Sequence, residues 1–519
     1  MTLKMLIKDM EVNEISGNPD IEISGIAYDS RKVKQGDIFV AMKGEKVDSH
    51  DFISDAIQRG AVAIVYERHS AFGVQKSLPH STIAKEGSKA GVYSELTFIH
   101  VKDSREALAC ISNNFYGRPS DKLTVIGVTG TNGKTTTTYL IKSILEAWGK
   151  EVGLIGTINY LVKDRHYDAP HTTPEALEFQ AILSEMLSSG CSHVVTEASS
   201  HALAQRRVDY TNFDVAVFTN LTRDHLDFHV TMEDYFKAKE RLFYELLSKD
   251  GTAVINFDDV WGRRLIEGIS SNVLTYGIET GADLTAANIK DSFDGLVFDI
   301  KFNGRIYNIK SPLIGMHNVY NILSAAGAAV GLSIPWDVII DGIKKMGSVK
   351  GRFEKVDLAQ DFLCVVDYAH SEDALERLIY TARELIQSSK TKSGGKIITV
   401  FGCGGNRDRG KRPRMGAIAT KLSDYVVITS DNPRDEEPLE IIKEIETGDS
   451  RRNYVIEPDR KKAIRKAVEI AEAGDILLIA GKGHEDYQEI KGIRYKFSDR
   501  EALEEAIRDR LKNSVSAGE

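Results

Sequence analysis

The sequence predicts an α/β protein of three domains: an α/β N-terminal domain, a central domain on a mostly parallel sheet, and a smaller Rossmann-like domain at the C-terminus. Three observations predict it. At 519 residues the chain is longer than one hydrophobic core supports, and usual domain sizes divide it into three or four units. From about residue 106 to 347 short apolar runs alternate with helical periods, the pattern of parallel strands wrapped by helices. After Gly347 a second alternation follows, KIITVFG, YVVITS and ILLIAGKG with helical stretches between them. The domains accordingly span 1–105, 106–347 and 348–519.

The first of these begins with ISGIAYDSRKVKQGDIFVAM, continues into a helix around Asp51 to Arg59 and returns through AVAIVYE. Asp29, Ser30, Arg31, Gly36, Asp37, Gly44, Asp48 and His50 punctuate it, and on spacing alone they read as turn and cap residues.

The central domain is organised around Leu123 to Gly149, LTVIGVTGTNGKTTTTYLIKSILEAWG. Leu123, Val125, Ile126 and Val128 form a short apolar strand, and Leu140, Ile141, Ile144, Leu145 and Trp148 then recur at helical spacing until Gly149 stops them. Between them lie Gly130, Thr131, Asn132, Gly133, Lys134, Thr135 and Thr136. Glycines let backbone amides close around phosphate oxygens, the helix N-terminus adds partial positive charge, and a lysine reaches the terminal phosphates. Thr135 is then placed to hold Mg2+, and ATP is the expected nucleotide. The loop departs from G-x-x-x-x-G-K-[ST] in having Val128 at the first glycine position, with Gly127 one place earlier. A chance glycine turn is the plain alternative.

Later strands of this domain are expected at His193 to Thr196, Asp214 to Thr219 and Thr252 to Asn256. Ligands in such folds gather at the carboxyl ends of strands, and there the sequence places Glu197, Ser199, Ser200 and His201, then Asn220, Asp224, His225 and Asp227. Carboxylates and an imidazole at adjacent strand ends suit one or two Mg2+ ions, although a histidine followed by acids also occurs in ordinary surface loops. In MEDYFKAKERLFYELL, Tyr235, Phe236, Leu242 and Phe243 form one helical stripe with Lys239 in its middle and Lys237 pointing away. A buried ammonium must lose its proton, find a partner or snorkel outward. A neutral amine at such a place could take up carbon dioxide as a carbamate and become an anionic metal ligand.

In the C-terminal domain three loops follow strands: GCGGNRDRGKRPRM, SDNPRDEEP and AGKGHEDYQ. DNPR alone reads as a turn. Together the loops bring Arg407, Arg434 and Glu485 to one end of a sheet, offering guanidinium groups for a carboxylate and a carboxylate for an ammonium, a combination suited to an amino-acid substrate.

A net charge of −9 with interspersed signs argues against a nucleic-acid binder. The four cysteines are scattered without a C-x-x-C pair, which suggests buried thiols in a reducing cytosol. No window is long and apolar enough for stable membrane insertion, and the N-terminus lacks a cleavage site. The expectation is a cytoplasmic monomer.

TGTNGKTT, with D-S-R, G-D-x-F-x-A and G-x-x-x-D-[GS]-H before it and Y-F-x-A-K after it, resembles the Mur ligases over essentially the full length. The resemblance implies a uridine-diphosphate-binding N-terminal domain, in which Ser30 and the loop Glu45, Lys46, Val47 match nucleotide-sugar contacts. It implies Thr135 and Glu197 at a first Mg2+, and His225 with a carboxylated Lys239 at a second. His171, Thr172, Thr173, Ser199, Gln205 and Arg207 match positions contacting a UDP-N-acetylmuramoyl-dipeptide, His171 standing where some members carry asparagine. Asn318 in IGMHNVYN resembles an adenine-side asparagine, and Arg352 and Asp367 resemble interdomain ATP contacts, with Lys350 and Glu372 where proline is usual. The Asp431, Asn432, Pro433, Arg434 run resembles the signature that selects meso-diaminopimelate; Gly481 would let the backbone approach that ligand, and Glu485 would meet its ammonium. The implied reaction is ATP-dependent amide synthesis through an acyl phosphate, with Lys134, Glu197, His225 and Lys239 as the catalytic group. A lysine-adding relative, a folylpolyglutamate synthetase and a nucleotide switch that joins nothing are the alternatives.

Overall fold

The structure, a computed structural model, describes residues 1–44, 47–67, 96–163, 165–279, 281–292, 294–388, 395–448 and 451–516. They form α/β layers in two compact units. The first comprises Met1–Gly127, Glu151–Asp214 and Arg241–Ser248; the second comprises Val128–Lys150, Val215–Glu240 and Lys249–Glu519.

In the first unit a five-stranded sheet runs in the order Val12–Ser16, Thr97–Val101, Ala63–Tyr66, Asp37–Val40, Gly25–Ala27. The last four are mutually parallel and the first is antiparallel at the margin. Asp37–Val40 and Ala63–Tyr66 are buried along their whole length, as near-continuous apolar strands covered on both faces must be. The expected helix near Asp51 begins as a 3-10 turn, Ser49–Phe52, and becomes α-helical over Ile53–Gln58. The same unit holds strands in the order Arg165–Asp168, Asn159–Val162, Val152–Ile155, His193–Glu197, Thr124–Thr129. His193–Glu197 pairs in parallel with Val152–Ile155, and the two marginal strands turn back antiparallel.

In the second unit the strand order runs Phe213–Phe218, Leu247–Asn256, Asn272–Gly277, Leu284–Ser292, Gly295–Phe302, Arg305–Ser311. Leu247–Asn256, Asn272–Gly277 and Leu284–Ser292 run parallel, and the last two strands are an antiparallel addition at the edge. The strands are therefore mostly parallel, as expected, and the antiparallel ones lie at the margins, where short hairpins replace helical crossovers.

A six-stranded sheet completes the second unit, in the order Glu354–Val356, Leu363–Asp367, Ile476–Ala480, Ile397–Phe401, Tyr425–Ile428, Tyr454–Ile456, parallel except for the first strand. Alternate residues of Ile397–Phe401 enter two different cores. Ile397 and Phe401 pack with Leu375, Met415 and Ile441, whereas Ile398 and Val400 pack with Ile464, Leu503 and Ile507. Helices on both faces and parallel strands within make this the Rossmann-like arrangement expected, with its loops at the strand carboxyl ends.

Candidate functional site

The strand Thr124–Thr129 hands over to the helix Lys134–Ala147 through a turn in which Gly130 has φ +145° and Gly133 has φ +86°. A Cβ on Gly130 would lie 1.9 Å from Thr219 Oγ1, and one on Gly133 would lie 2.4 Å from Asn321 Oδ1. Only glycine fits either place. Gly127 has a different task, because its Cβ would meet the Phe213 ring at 2.8 Å. It is a strand-packing residue, and the glycine turn begins at Gly130.

Within the turn the Lys134 Nζ donates to the carbonyls of Gly130 and Thr131 at 2.8 and 2.9 Å. Thr131 is buried, with its hydroxyl 3.1 Å from the Tyr235 hydroxyl. The Asn132 amide nitrogen donates to Asn220 Oδ1, and its side chain donates to Asp373 at 2.7 Å. Thr135 and Thr136 are buried at the start of the helix, and Arg352 Nη2 donates to Thr135 Oγ1 at 3.2 Å.

Lys239 is 1% exposed, whereas Lys237 points to solvent. Its helix, Met232–Arg241, passes into a π-turn over Leu242–Leu246. The Lys239 Nζ donates to Gly130 O at 2.8 Å and lies 4.6 Å from the centre of the Tyr235 ring. One carbonyl thus serves two lysine amines. Burial, then the neighbouring Lys134 charge, drives the Lys239 pKa well below that of an ordinary lysine, with Asp224 opposing. Burial therefore disfavours the charged form of this amine, and snorkelling is excluded. His225 is partly exposed with φ +53°, and its ring nitrogen lies 3.5 Å from Asp224.

Arg352 stacks 4.6 Å over the Tyr368 ring, and Asp367 accepts the Phe353 amide at 2.6 Å. Asn318 is buried, donating to Ile314 O at 2.7 Å and accepting from Asn321 at 2.9 Å.

The three C-terminal loops meet. Arg434, with φ +50°, donates from Nη1 to Gly405 O at 2.8 Å, and its Nε lies 3.5 Å from Glu489. Asn432 donates to Glu485 at 2.8 Å, while the wholly buried Lys482 donates to Asn432 Oδ1 at 2.9 Å and to Glu485 at 3.1 Å. A Cβ on Gly481 would stand 2.7 Å from an Asp431 carboxylate oxygen. Burial pushes the Asp431 pKa up, but Lys482 and Arg460 prevail and hold it below the usual value. Pro433 is buried in the same turn, and Arg407 is exposed at its loop tip. Lys482 was not singled out from the sequence, although a lysine between two glycines directly after an all-apolar strand was a signal. The bond from Asn132 to Asp373 spans 241 residues, and no spacing announces it.

In the first unit Glu197 is wholly buried and accepts the Thr157 amide and hydroxyl, both at 2.9 Å. Thr173 donates to Glu197 O at 2.6 Å and accepts the Ser199 amide at 3.2 Å; Thr172 lies 3.1 Å from the Thr157 hydroxyl. Arg207 donates to Thr173 O at 3.0 Å and Gln205 at 2.7 Å and pairs with Glu175 at 2.7 Å. The His171 carbonyl accepts the Tyr160 hydroxyl, and burial followed by Arg207 lowers the His171 pKa. The structure therefore gathers His171, Thr172, Thr173, Ser199, Gln205 and Arg207 around Glu197. Ser30 is buried and hydrogen-bonds Asp55. Val47 is exposed, and Glu45 and Lys46 lie outside the described residues. His50 is a latch, donating from Nδ1 to Asp48 at 2.6 Å and accepting the Glu67 amide on Nε2. A cavity of about 490 Å³ in this unit is lined by Glu67, Asp103, Arg105, Glu106 and Arg206 among others and by none of the expected site residues. Arg206 is paired with Asp103 and Glu106 there.

Among the described residues no three His, Cys, Asp or Glu side chains gather as a metal centre. The expected Mg2+ donors are instead a threonine hydroxyl, a carboxylate, an imidazole and a modified lysine, mostly hard oxygen ligands of the kind Mg2+ prefers.

Three family models match in succession. The Mur ligase family, catalytic domain, matches residues 22–116, the Mur ligase middle domain 128–329, and the Mur ligase, glutamate ligase domain 351–483. The chain is 43% identical over 511 residues to the UDP-N-acetylmuramoyl-L-alanyl-D-glutamate--2,6-diaminopimelate ligase of Clostridium tetani, covering 98% of this chain and 100% of the relative. It is 45% identical to the ligase of the same name from Solibacter usitatus, covering 94% of each. A solved structure of a UDP-N-acetylmuramoyl-L-alanyl-D-glutamate--2,6-diaminopimelate ligase superposes with a TM-score of 0.67 at 32% identity, covering 98% of this chain and 99% of that one. An N-terminal, a middle and a glutamate-ligase domain in this order, with relatives above 40% identity along nearly the whole length, place the chain in the Mur ligase family.

Proposed function

We propose that this chain is an ATP-dependent amide ligase that joins meso-diaminopimelate to the D-glutamyl side-chain carboxylate of UDP-N-acetylmuramoyl-L-alanyl-D-glutamate, in the synthesis of peptidoglycan precursors. The observation that carries the choice of amino acid is the knot of Arg434, Asn432, Lys482 and Glu485, a guanidinium and a carboxylate set on one rigid frame. Diaminopimelate has a distal carboxylate that an arginine grips in bidentate fashion. With L-lysine bound, Arg434 would be desolvated without that partner, at a cost of about 1–3 kcal/mol or more, at least about tenfold in discrimination.

In the reaction a D-glutamyl carboxylate oxygen attacks the γ-phosphorus of ATP, the bond to ADP breaks, and an acyl phosphate forms. The neutral amine of diaminopimelate then adds to the acyl carbon, loses a proton, and phosphate leaves with the electron pair of the C–O bond. Gly130 to Thr136 cradle the phosphates. Lys134, which rests on the carbonyls of Gly130 and Thr131, moves its ammonium onto the transferring group and offsets the charge that builds there. Asn318, Arg352 and Asp367 hold the nucleotide. Ser30, Glu45, Lys46 and Val47 take the uridine diphosphate, and His171 to Thr173, Ser199, Gln205 and Arg207 take the muramoyl-dipeptide. Arg407, Asp431 to Arg434, Gly481 and Glu485 take the amino acid. Mg2+, when held by Thr135 and Glu197 at a first site and by His225 and a carboxylated Lys239 at a second, would neutralise phosphate charge. The depressed proton affinity of Lys239 supports the carbamate, since only a neutral amine takes up carbon dioxide. We assign domain boundaries at 1–105, 106–347 and 348–519, a cytoplasmic location and a monomeric state.

ADP release offered meso-diaminopimelate and L-lysine side by side tests this reading. Release that requires the UDP-muramoyl-dipeptide and prefers diaminopimelate by at least about tenfold is expected. Release that needs neither substrate would make the chain a nucleotide switch.

A further inference from the structure

Arg460 and Asp499 form an ion pair with no exposed side-chain surface. The contact is bidentate: Arg460 Nε and Nη2 donate to the two Asp499 oxygens, each at 2.7 Å. The same guanidinium continues outward, Nη2 donating to Ala480 O at 2.9 Å and Nη1 to Ser430 O at 3.2 Å. These carbonyls have a particular position. Ser430 is the residue before Asp431, Asn432, Pro433 and Arg434, and Ala480 is the residue before Gly481, Lys482 and the turn to Glu485.

The strands leading to those carbonyls, Tyr425–Ile428 and Ile476–Ala480, are not neighbours in the sheet, because Ile397–Phe401 lies between them. No ladder joins them directly. Arg460 spans the intervening strand and ties together the roots of the two loops. Beyond it the tips are tied by Lys482, which reaches Asn432 and Glu485. Asp499 opens the helix Asp499–Ser516, and the next residue, Arg500, pairs with Glu354, whose other oxygen accepts the Gly351 amide at 2.6 Å beside Arg352.

A buried ion pair is a poor device for stability. Desolvating both charges offsets most of their attraction, and well-packed apolar residues of similar volume often do as well or better. What an arginine fork adds is geometry, four directed bonds from one rigid plane. We infer that Arg460, oriented by Asp499, is a positioning residue for the ligase reaction: it fixes the separation of the DNPR loop from the Glu485 loop, and hence the span between the group that grips the distal carboxylate and the group that grips the ammonium. The inference rests on the amino-acid site assigned above. It makes the length of the amino acid accepted depend on a residue that touches no substrate.

The test uses the full chain. In Arg460→Met with Asp499→Leu, apolar side chains of similar length fill the space and no charge is stranded; in Arg460→Lys the charge stays and the fork is lost. Each is compared with wild type for melting temperature, for KM towards meso-diaminopimelate, ATP and UDP-muramoyl-dipeptide, and for preference over L-lysine. The expected result is a KM for diaminopimelate raised by about tenfold or more in both, the other two KM values within about twofold, and a narrowed preference over lysine. An Arg460→Met, Asp499→Leu protein that melts like wild type and keeps the wild-type KM for diaminopimelate would overturn the inference, as would a parallel rise of all three KM values in Arg460→Lys. Should the apolar pair not fold, the Arg460→Lys profile decides between these outcomes by itself. The wild-type requirement for diaminopimelate is read first and independently, so a failure of the substrate assignment is distinguishable from a failure of the positioning role.

Discussion

Replacing Arg434 by alanine isolates one contact. The fork is oriented from two sides, by Gly405 O at 2.8 Å and by Glu489 at 3.5 Å, and the side chain is 20% exposed. Arginine already has φ +50° here, and alanine bears the same Cβ, so the backbone term is unchanged. The Arg434–Glu489 pair is long and partly exposed, so its loss costs the fold about 0–1 kcal/mol. A hydrogen bond to a charged group contributes about 1.5–3 kcal/mol, and each 1.4 kcal/mol is about tenfold. Arg434→Ala is therefore expected to lower kcat/KM for diaminopimelate by about 10- to 150-fold with little change in melting temperature. Arg434→Lys, which keeps the charge but not the fork, should fall between. The assay is ADP release with diaminopimelate, L-lysine and ATP varied in turn. The loss should be confined to diaminopimelate. An equal loss with lysine, or an equal rise in the KM for ATP, refutes the assignment of Arg434 to the distal carboxylate.

Gly130→Ala forces a Cβ to within 1.9 Å of Thr219 Oγ1 at φ +145°, a strain of about 2 kcal/mol or more, so the thermal shift given by ATP should vanish in a variant that remains folded. Lys239→Met places an apolar chain where a buried amine now sits; the fold should survive while ADP release falls by about 100-fold or more, and wild-type activity should drop after carbon dioxide is stripped and return with bicarbonate. Burial, then Arg377, lowers the His317 pKa to about 4, below the 6.5 of a free histidine. The unfolded chain therefore binds more protons between those values, so this contribution is complete above pH 6.5 and is lost as pH falls towards 4, amounting to at most about 3 kcal/mol. His317→Gln should flatten the difference in denaturation midpoint between pH 8 and about pH 4.5.

Local periodicity made the phosphate turn and Lys239 legible. A strand, two glycines and a helix need no distant partner to be recognised, and a lysine at the centre of an apolar helical stripe has few places to go. The antiparallel edge after Asn272–Gly277 was also written in the chain, in Asn303 and Gly304 between alternating runs; both take positive φ, 48° and 72°, as a tight hairpin requires. The βα alternation that precedes it masks this local signal. Other features had no local sign. Arg460 finds Asp499 across 39 residues and Ser430 across 30, and Lys482 finds Asn432 across 50, so their roles exist only once the sheet has formed.

The four thiols give the molecule an internal clock. Cys110, Cys191, Cys364 and Cys403 are all buried and unbridged, and burial pushes Cys110, Cys364 and Cys403 up to about 12, so each is shielded from reagents and protonated as well. Cys364 belongs to one core of the six-stranded sheet and Cys403 to the other. Alkylation can reach them only when the surrounding structure opens, so their labelling rates time the breathing of each face separately, with no engineered probe added.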